Sequence, residues 1–159
     1  MRDEDKDELE SQEAQDAEGF EDSEISFEEQ EFNNYCEAND FDHDENAMEA
    51  EDRKDFVKIK KRFMRALKEK QIVVDGNKLI LTVSERSKEM AGKQITISRP
   101  SGRTLLAMDG YKETQQQTKL MAYMAALCRI PRNEIHKISS LDKKDHQIIQ
   151  DVAILFLTE

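Results

Sequence analysis

Apolar residues recur at intervals of three and four between Arg53 and Lys70, which is the spacing of one face of an α-helix. The apolar positions are Phe56, Ile59, Phe63 and Leu67, widened by Val57 and Met64. The opposite face is basic and carries Arg53, Lys54, Lys58, Lys60, Lys61, Arg62, Arg65, Lys68 and Lys70. The pattern predicts a basic amphipathic helix over residues 53–70.

The C-terminal half of the chain repeats this helical spacing. A stripe over residues 113–128 is formed by Leu120, Met121, Met124, Leu127 and Cys128. A second stripe follows Asp142, a suitable N-cap, and is formed by Ile148, Ile149, Val152, Leu155 and Phe156. Ser101 or Thr104 can cap a short helix through Leu105, Leu106 and Met108, and Pro131 suits the first turn of another. Three or four helices are therefore predicted after residue 100.

A strand pattern separates the basic helix from the later helices. The segment IVVDGNKLILTV places two β-branched runs on either side of residues 75–77, a tight-turn sequence that predicts a β-hairpin. A third strand is predicted over residues 93–98, with Ile95 and Ile97 facing inward. The expected fold class is α+β and mostly helical, with a small antiparallel β meander followed by three or four helices.

Charge divides the chain into two unlike parts. Residues 1–52 hold 23 acidic and two basic side chains, a net charge of −21, whereas residues 53–159 have a net charge of +10. High charge with few apolar residues opposes compaction, so residues 1–52 are predicted to be a disordered acidic tail. The predicted organisation is this tail, the basic helix over residues 53–70 and a folded domain over residues 71–159. No apolar run is long enough to span a bilayer and no signal peptide is evident, so a soluble, non-secreted protein is expected.

Residue types that carry chemistry are few and scattered. Cys36 and Cys128 lie far apart, and the three histidines share no metal-ligand spacing. Cys128 lies in an apolar stripe, which is typical of an inert core thiol. The five glycines are isolated and form no nucleotide-binding loop. We therefore expect no catalytic residue, no metal site and no cofactor, and a protein that is not an enzyme.

One acidic segment resembles a calcium-binding loop in the spacing of its oxygen ligands. The position that requires glycine for a sharp turn holds Glu45 instead. In so acidic a segment this spacing arises easily by chance, and a solvated acidic run is the preferred interpretation. The matching positions are Asp40, Asp42, Asp44, Asn46 and Glu51.

The basic helix and the methionines each allow two interpretations. Nine basic residues on one helix could contact phosphates of a nucleic acid. The attached acidic tail would compete with such a polyanion, so a solvated helix surface partly neutralised by the tail is preferred. Met121 and Met124 suit an adaptable contact surface as well as a core, and core packing is preferred.

The stretch from Ile95 to Leu157 resembles the tail assembly chaperones of long-tailed phages and prophages, in particular the small Mu-like family of contractile tails. The segments that carry the resemblance are ITISRPSGRTLLAM, TKLMAYMAALCRIP and IHKISSLDKKDHQIIQDVAILFL. The hairpin matches more loosely and extends the resemblance to about residues 77–157. The signature positions are Ile135, Ile138, Leu141, Asp145, Ile149, Val152 and Phe156.

The resemblance implies an assembly factor of the bacterial host cytoplasm that binds the tape measure protein, keeps it soluble and recruits tail-tube subunits. A possible homo-oligomer is also expected, with no membrane partner. The rival hypothesis is a nucleic-acid-associated or regulatory interaction module, whose basic helix is autoinhibited by the acidic tail. On the chaperone hypothesis, the residues predicted to contact the partner are Leu120, Met121, Met124, Ile149, Val152 and Phe156.

Overall fold

The structure is a computed structural model that describes residues 25–158. This part of the chain forms six α-helices around a three-stranded sheet, which confirms the predicted α+β, mostly helical fold class. Short 3₁₀ segments lie at Glu45–Ala47, Glu85–Met90 and Arg132–Glu134. In chain order the elements are α1 (Phe27–Ala38), α2 (Ala50–Lys68), β1 (Ile72–Asp75), β2 (Lys78–Thr82), β3 (Gln94–Ile97), α3 (Gly102–Leu106), α4 (Gln116–Leu127), α5 (His136–Ser139) and α6 (Lys143–Leu157).

The sheet is an antiparallel meander in the order β1-β2-β3, as predicted. Leu81 of β2 is paired with Ile72 on one side and Ile95 on the other, and all three side chains are buried on the same face. The β1–β2 turn needs a left-handed residue, and Gly76 supplies it with φ of 61°. The hairpin prediction is therefore confirmed together with the inward orientation of the third strand.

Helix α2 is the predicted basic amphipathic helix, and it begins three residues earlier than expected. Its four principal apolar positions are buried, and its basic residues lie mostly at the surface.

The later helices also follow the prediction. The carboxylate of Asp142 caps α6 by accepting a hydrogen bond from the Lys144 backbone N–H. Among residues 25–158, no helix combines the length and apolarity that a membrane span requires.

The prediction of a disordered tail is wrong for residues 25–52. Phe32 and Tyr35 of α1 are fully buried in the core, and the Phe32 ring centroid lies 5.0 Å from that of Phe63 in α2. The few apolar residues of this segment suffice because they gather on one face of α1 and meet the apolar stripe of α2.

Residues 1–24 lie outside the described residues. The body 25–158 carries 22 acidic and 22 basic side chains, so its formal charge is zero.

A buried carboxylate joins α6 to the segment between β2 and β3. Asp145 accepts hydrogen bonds from the Gln71 amide at 2.6 Å, the Ser87 hydroxyl at 2.6 Å, and both the backbone N–H and the hydroxyl of Ser84 at 3.1 and 2.8 Å. The Ser87 hydroxyl in turn accepts from the Asp142 backbone N–H at 2.8 Å. This network holds the first turn of α6 against the segment between β2 and β3.

Replacing Asp145 with asparagine should lower the free energy of unfolding by about 2 kcal/mol, because hydrogen bonds to a charged acceptor contribute about 1.5–3 kcal/mol. An amide cannot accept from all of these donors. Urea denaturation of Asp145→Asn measures the loss. Glu85→Gln removes an exposed carboxylate from the same 3₁₀ segment and should leave the stability within about 0.5 kcal/mol of wild type. Equal effects of the two changes would contradict this role.

His146 should make the protein less stable in acid. Burial lowers the pKa of its imidazole, and within residues 25–158 its Nε2 atom has no hydrogen-bond partner. The folded state therefore favours the neutral ring, and stability that is complete above about pH 6.5 is lost as the pH falls towards the lower folded pKa. Comparing urea midpoints at neutral and mildly acidic pH should show a smaller decrease for His146→Gln than for wild type. A parallel decrease in both proteins would exclude His146 as the cause.

Candidate partner-binding surfaces

Three of the six residues predicted to contact a partner belong to the core. Met124 in α4, and Ile149 and Val152 in α6, are fully buried. The apolar stripes of α4 and α6 pack against each other, so these side chains have no surface left to offer. The prediction that they form a partner surface is wrong, and the preferred interpretation of Met124 as a core residue is confirmed.

The other three predicted residues keep part of their surface. Leu120 and Phe156 are half-buried and pack on the edge of the core. The Phe156 ring centroid lies 4.7 Å from that of Phe41, in the connection that follows α1. Met121 is half-buried on α4. None of the three lines either of the openings described below, and their role in binding stays a prediction.

A cleft of about 800 Å³ lies between α3 and the segment from α4 to α5. We call it the arginine cleft. Its rim carries four exposed arginines, and no acidic side chain lines it. Its walls are apolar and include Ala122, Ala125, Ala126, Leu127, Ile130 and Ile135. The rim residues are Arg99, Arg103, Arg129 and Arg132.

Local backbone geometry fixes the shape of the arginine cleft. The Ser98 N–H donates to the Leu127 carbonyl at 3.1 Å, which fastens the end of β3 to the end of α4. Arg129 adopts a positive φ of 56° and turns the chain away from the helix axis. Arg132 packs over the Tyr111 ring, with 4.7 Å between the guanidinium carbon and the ring centroid. The rim is therefore held in place by the fold.

Two exposed leucines lie beside the arginine cleft. Leu105 and Leu106 of α3 are 52% and 63% exposed, and neighbouring α3 residues line the cleft. We call these two residues the leucine pair. The sequence pattern placed both in a short helix and assigned neither to a binding surface. Two adjacent leucines on a five-residue helix do not reveal from the sequence which way they face, because residues about 100° apart can share one apolar stripe, as Ile148 and Ile149 do.

A second opening of about 650 Å³ lies between the connection from α1 to α2, the start of α2 and the end of α6. We call it the acidic groove. Its lining is mainly apolar, and Met48 and Ile154 are the half-buried members. Three exposed carboxylates, from Asp42, Asp52 and Asp55, stand at its edge. The two openings thus combine apolar walls with charges of opposite sign.

Part of the basic face of α2 is neutralised within the fold. The Lys60 ammonium lies 3.0 Å from the Glu29 carboxylate and 3.3 Å from that of Glu45. Burial alone would lower the pKa of Lys60, but the bonds to Glu29 and Glu45 outweigh it and raise the pKa. Arg53 donates to the Glu45 carbonyl at 2.7 Å. Acidic residues of the folded segment therefore neutralise part of the basic helix, in line with the preferred interpretation.

The calcium-like segment uses its carboxylates for turn formation. Asp42 accepts from the Asp44 N–H at 3.0 Å, Asp44 accepts from the Asn46 N–H at 3.1 Å, and Asp40 pairs with Arg99 at 2.9 Å. Within the described chain, no three His, Cys, Asp or Glu side chains are grouped as metal ligands. Burial raises the pKa of the Cys128 thiol to about 12, as expected of an inert core cysteine.

Comparisons of the chain with models of protein families, with characterised proteins and with solved structures found no match. What the protein does is therefore inferred from its surfaces and from the sequence resemblance of residues 95–157. Beside the arginine cleft, Leu105 and Leu106 leave more than half of their surface exposed, and exposed apolar side chains of this size are typical of a contact surface.

Proposed function

We propose that this protein is a phage or prophage tail assembly chaperone. It binds the tape measure protein in the cytoplasm of the bacterial host, keeps it soluble, and recruits tail-tube subunits during tail morphogenesis. The sequence resemblance supports the family. The observation that carries the binding step is the leucine pair, exposed beside the apolar walls of the arginine cleft.

An amphipathic helix is the partner element that such a surface fits. Helix recognition in a groove requires apolar anchors along one face and complementary charges beside them. Leu105 and Leu106 supply anchors, and burying the exposed part of each, a little over half of its surface, would contribute about 1–2 kcal/mol. The arginine rim would pair with acidic side chains that flank the apolar face of the partner helix. A long helical protein offers many such segments, which suits a chaperone that coats its client.

Replacing Leu106 with serine should weaken capture of the tape measure protein by about tenfold or more, since truncating an interface anchor costs about 2 kcal/mol. Co-expression of the full chain with the tape measure protein, followed by co-purification, measures the loss. Val73→Ser is the matched control, because Val73 is a similarly exposed apolar residue on β1. Both variants should keep the wild-type melting temperature. Undiminished capture by Leu106→Ser would contradict the proposed surface.

The rival function is distinguished by salt. Binding to nucleic acid through the arginine rim would weaken steeply with added salt, since counterion release dominates phosphate contacts. A complex held by apolar anchors should persist. Tight, salt-sensitive binding of the full chain to DNA or RNA, with no capture of the tape measure protein, would favour the nucleic-acid-associated module instead.

A further inference from the structure

We propose that the free protein forms a two-fold symmetric dimer in which α3 of each copy docks into the acidic groove of the other. The occupant of the groove is thus a second copy of this chain, presenting the leucine pair and the arginine next to it. This inference does not depend on the chaperone function, because it concerns the protein before any client is bound.

Unpaired charges of opposite sign mark the two surfaces. Within residues 25–158 the side chain of Arg103, beside the leucine pair, makes no hydrogen bond or ion pair. The same holds for Asp52 and Asp55 at the edge of the acidic groove, while other exposed ionic groups nearby, such as Arg99, are already paired. Docking α3 in the groove would bring Arg103 towards these carboxylates and give each a partner.

Apolar surface on both sides supplies the attraction. The leucine pair is more than half exposed in the single chain, and the acidic groove offers the half-buried Met48 and Ile154 above its apolar floor. Methionine adapts to the shape of an incoming side chain, which suits such a contact. Burying these side chains against each other removes apolar area from water on both copies.

The position of the two surfaces favours a reciprocal contact. Arg99 precedes α3, and its guanidinium lies 2.9 Å from the carboxylate of Asp40, which precedes the groove residues Phe41 and Asp42. This ion pair joins the segment that precedes α3 to the segment that leads into the acidic groove. Two copies related by a two-fold axis can then exchange the contact, so that each dimer contains it twice.

Charge reversal tests this dimer with the full chain. Light scattering after size-exclusion chromatography should give the mass of a dimer for wild type, and the mass of a monomer for Arg103→Glu and for Asp55→Arg. Each variant alone places like charges together in both contacts. An equimolar mixture should recover the dimer mass, because one copy of each variant can pair. In this mixed dimer one contact joins Arg103 to Asp55, and the other joins the introduced glutamate at position 103 to the introduced arginine at position 55. Circular dichroism melts check that both variants are folded.

Three results would overturn the proposal. A wild-type protein that stays monomeric at every concentration has no such dimer. Variants that keep the dimer mass place the contact elsewhere, and a mixture of monomeric variants that stays monomeric rejects the pairing of these two surfaces. Lys58→Glu, at an exposed basic residue of α2, is the matched control and should remain dimeric.

Discussion

Truncating Phe32 to alanine is expected to lower the free energy of unfolding by about 3–5 kcal/mol, the cost of emptying a buried aromatic site. The ring is fully buried, and it contacts the rings of Phe56 and Phe63 with centroid distances of 5.6 and 5.0 Å. Urea denaturation followed by circular dichroism measures the change. The effect is large because the ring fastens α1 to α2.

Phe27→Ala is the control for this result, because Phe27 lies on the same helix and is 69% exposed. Its truncation should leave the stability within about 0.5 kcal/mol of wild type. Limited proteolysis adds an independent measurement, since cleavage within residues 27–38 should require unfolding. If the Phe32 and Phe27 variants were equally stable, the Phe32 ring would not be packed in the core. The disordered tail that the charge suggested would then be the correct description of this segment.

Arg62→Ala should cost about 3 kcal/mol, because it leaves a buried carboxylate without its cation. The side chain of Asp151 is only 4% exposed and is held by two hydrogen bonds from Arg62, of 2.7 and 2.9 Å. The hydrogen bond to Asp151 raises the pKa of the Arg62 guanidinium. The expected loss of stability is at the lower end of the range for broken buried ion pairs. Arg62 is partly exposed, and in the variant Gln147 continues to donate a hydrogen bond to Asp151.

Two further variants separate the ion pair from general effects of charge. Arg65→Ala removes an exposed arginine one turn away and should be nearly neutral. The double variant Arg62→Met/Asp151→Leu should recover most of the stability, because apolar pairs of similar volume often replace buried ion pairs without loss. Denaturation midpoints of the four proteins form the comparison. A double variant as unstable as Arg62→Ala would mean that shape, rather than the unpaired charge, determines the cost.

The periodic spacing of apolar residues predicted the helices and strands of this fold well. A helix or strand that buries one face needs apolar residues at that spacing. The stripe of α2 and the alternation around Ile95 and Ile97 were found where the structure has them. Periodicity could not tell which apolar stripe faces the core and which faces a partner. Met124 and Val152 were therefore assigned to a binding surface, although α4 and α6 cover each other there.

Helix α1 was missed because net charge was given more weight than local pattern. Its sequence does contain the signals of a helix. Ser26 caps its first turn by accepting from the Glu29 N–H at 3.1 Å, and Phe32, Tyr35 and Cys36 have the spacing of one helical face. Three apolar residues over such a short span do not reveal from sequence alone that a complementary face exists on α2. The contact across 31 residues between Glu29 and Lys60 is likewise invisible until the chain is folded.

The equal numbers of acidic and basic side chains in residues 25–158 place the isoelectric point of this body near neutrality, whereas that of the whole chain is about 4.8. A protein without net charge at its working pH loses the mutual repulsion that keeps molecules dispersed. The first 24 residues carry 12 acidic and two basic side chains, so they supply nearly all of that repulsion. Shortening them would bring the protein towards isoelectric precipitation while leaving every residue of its described core in place.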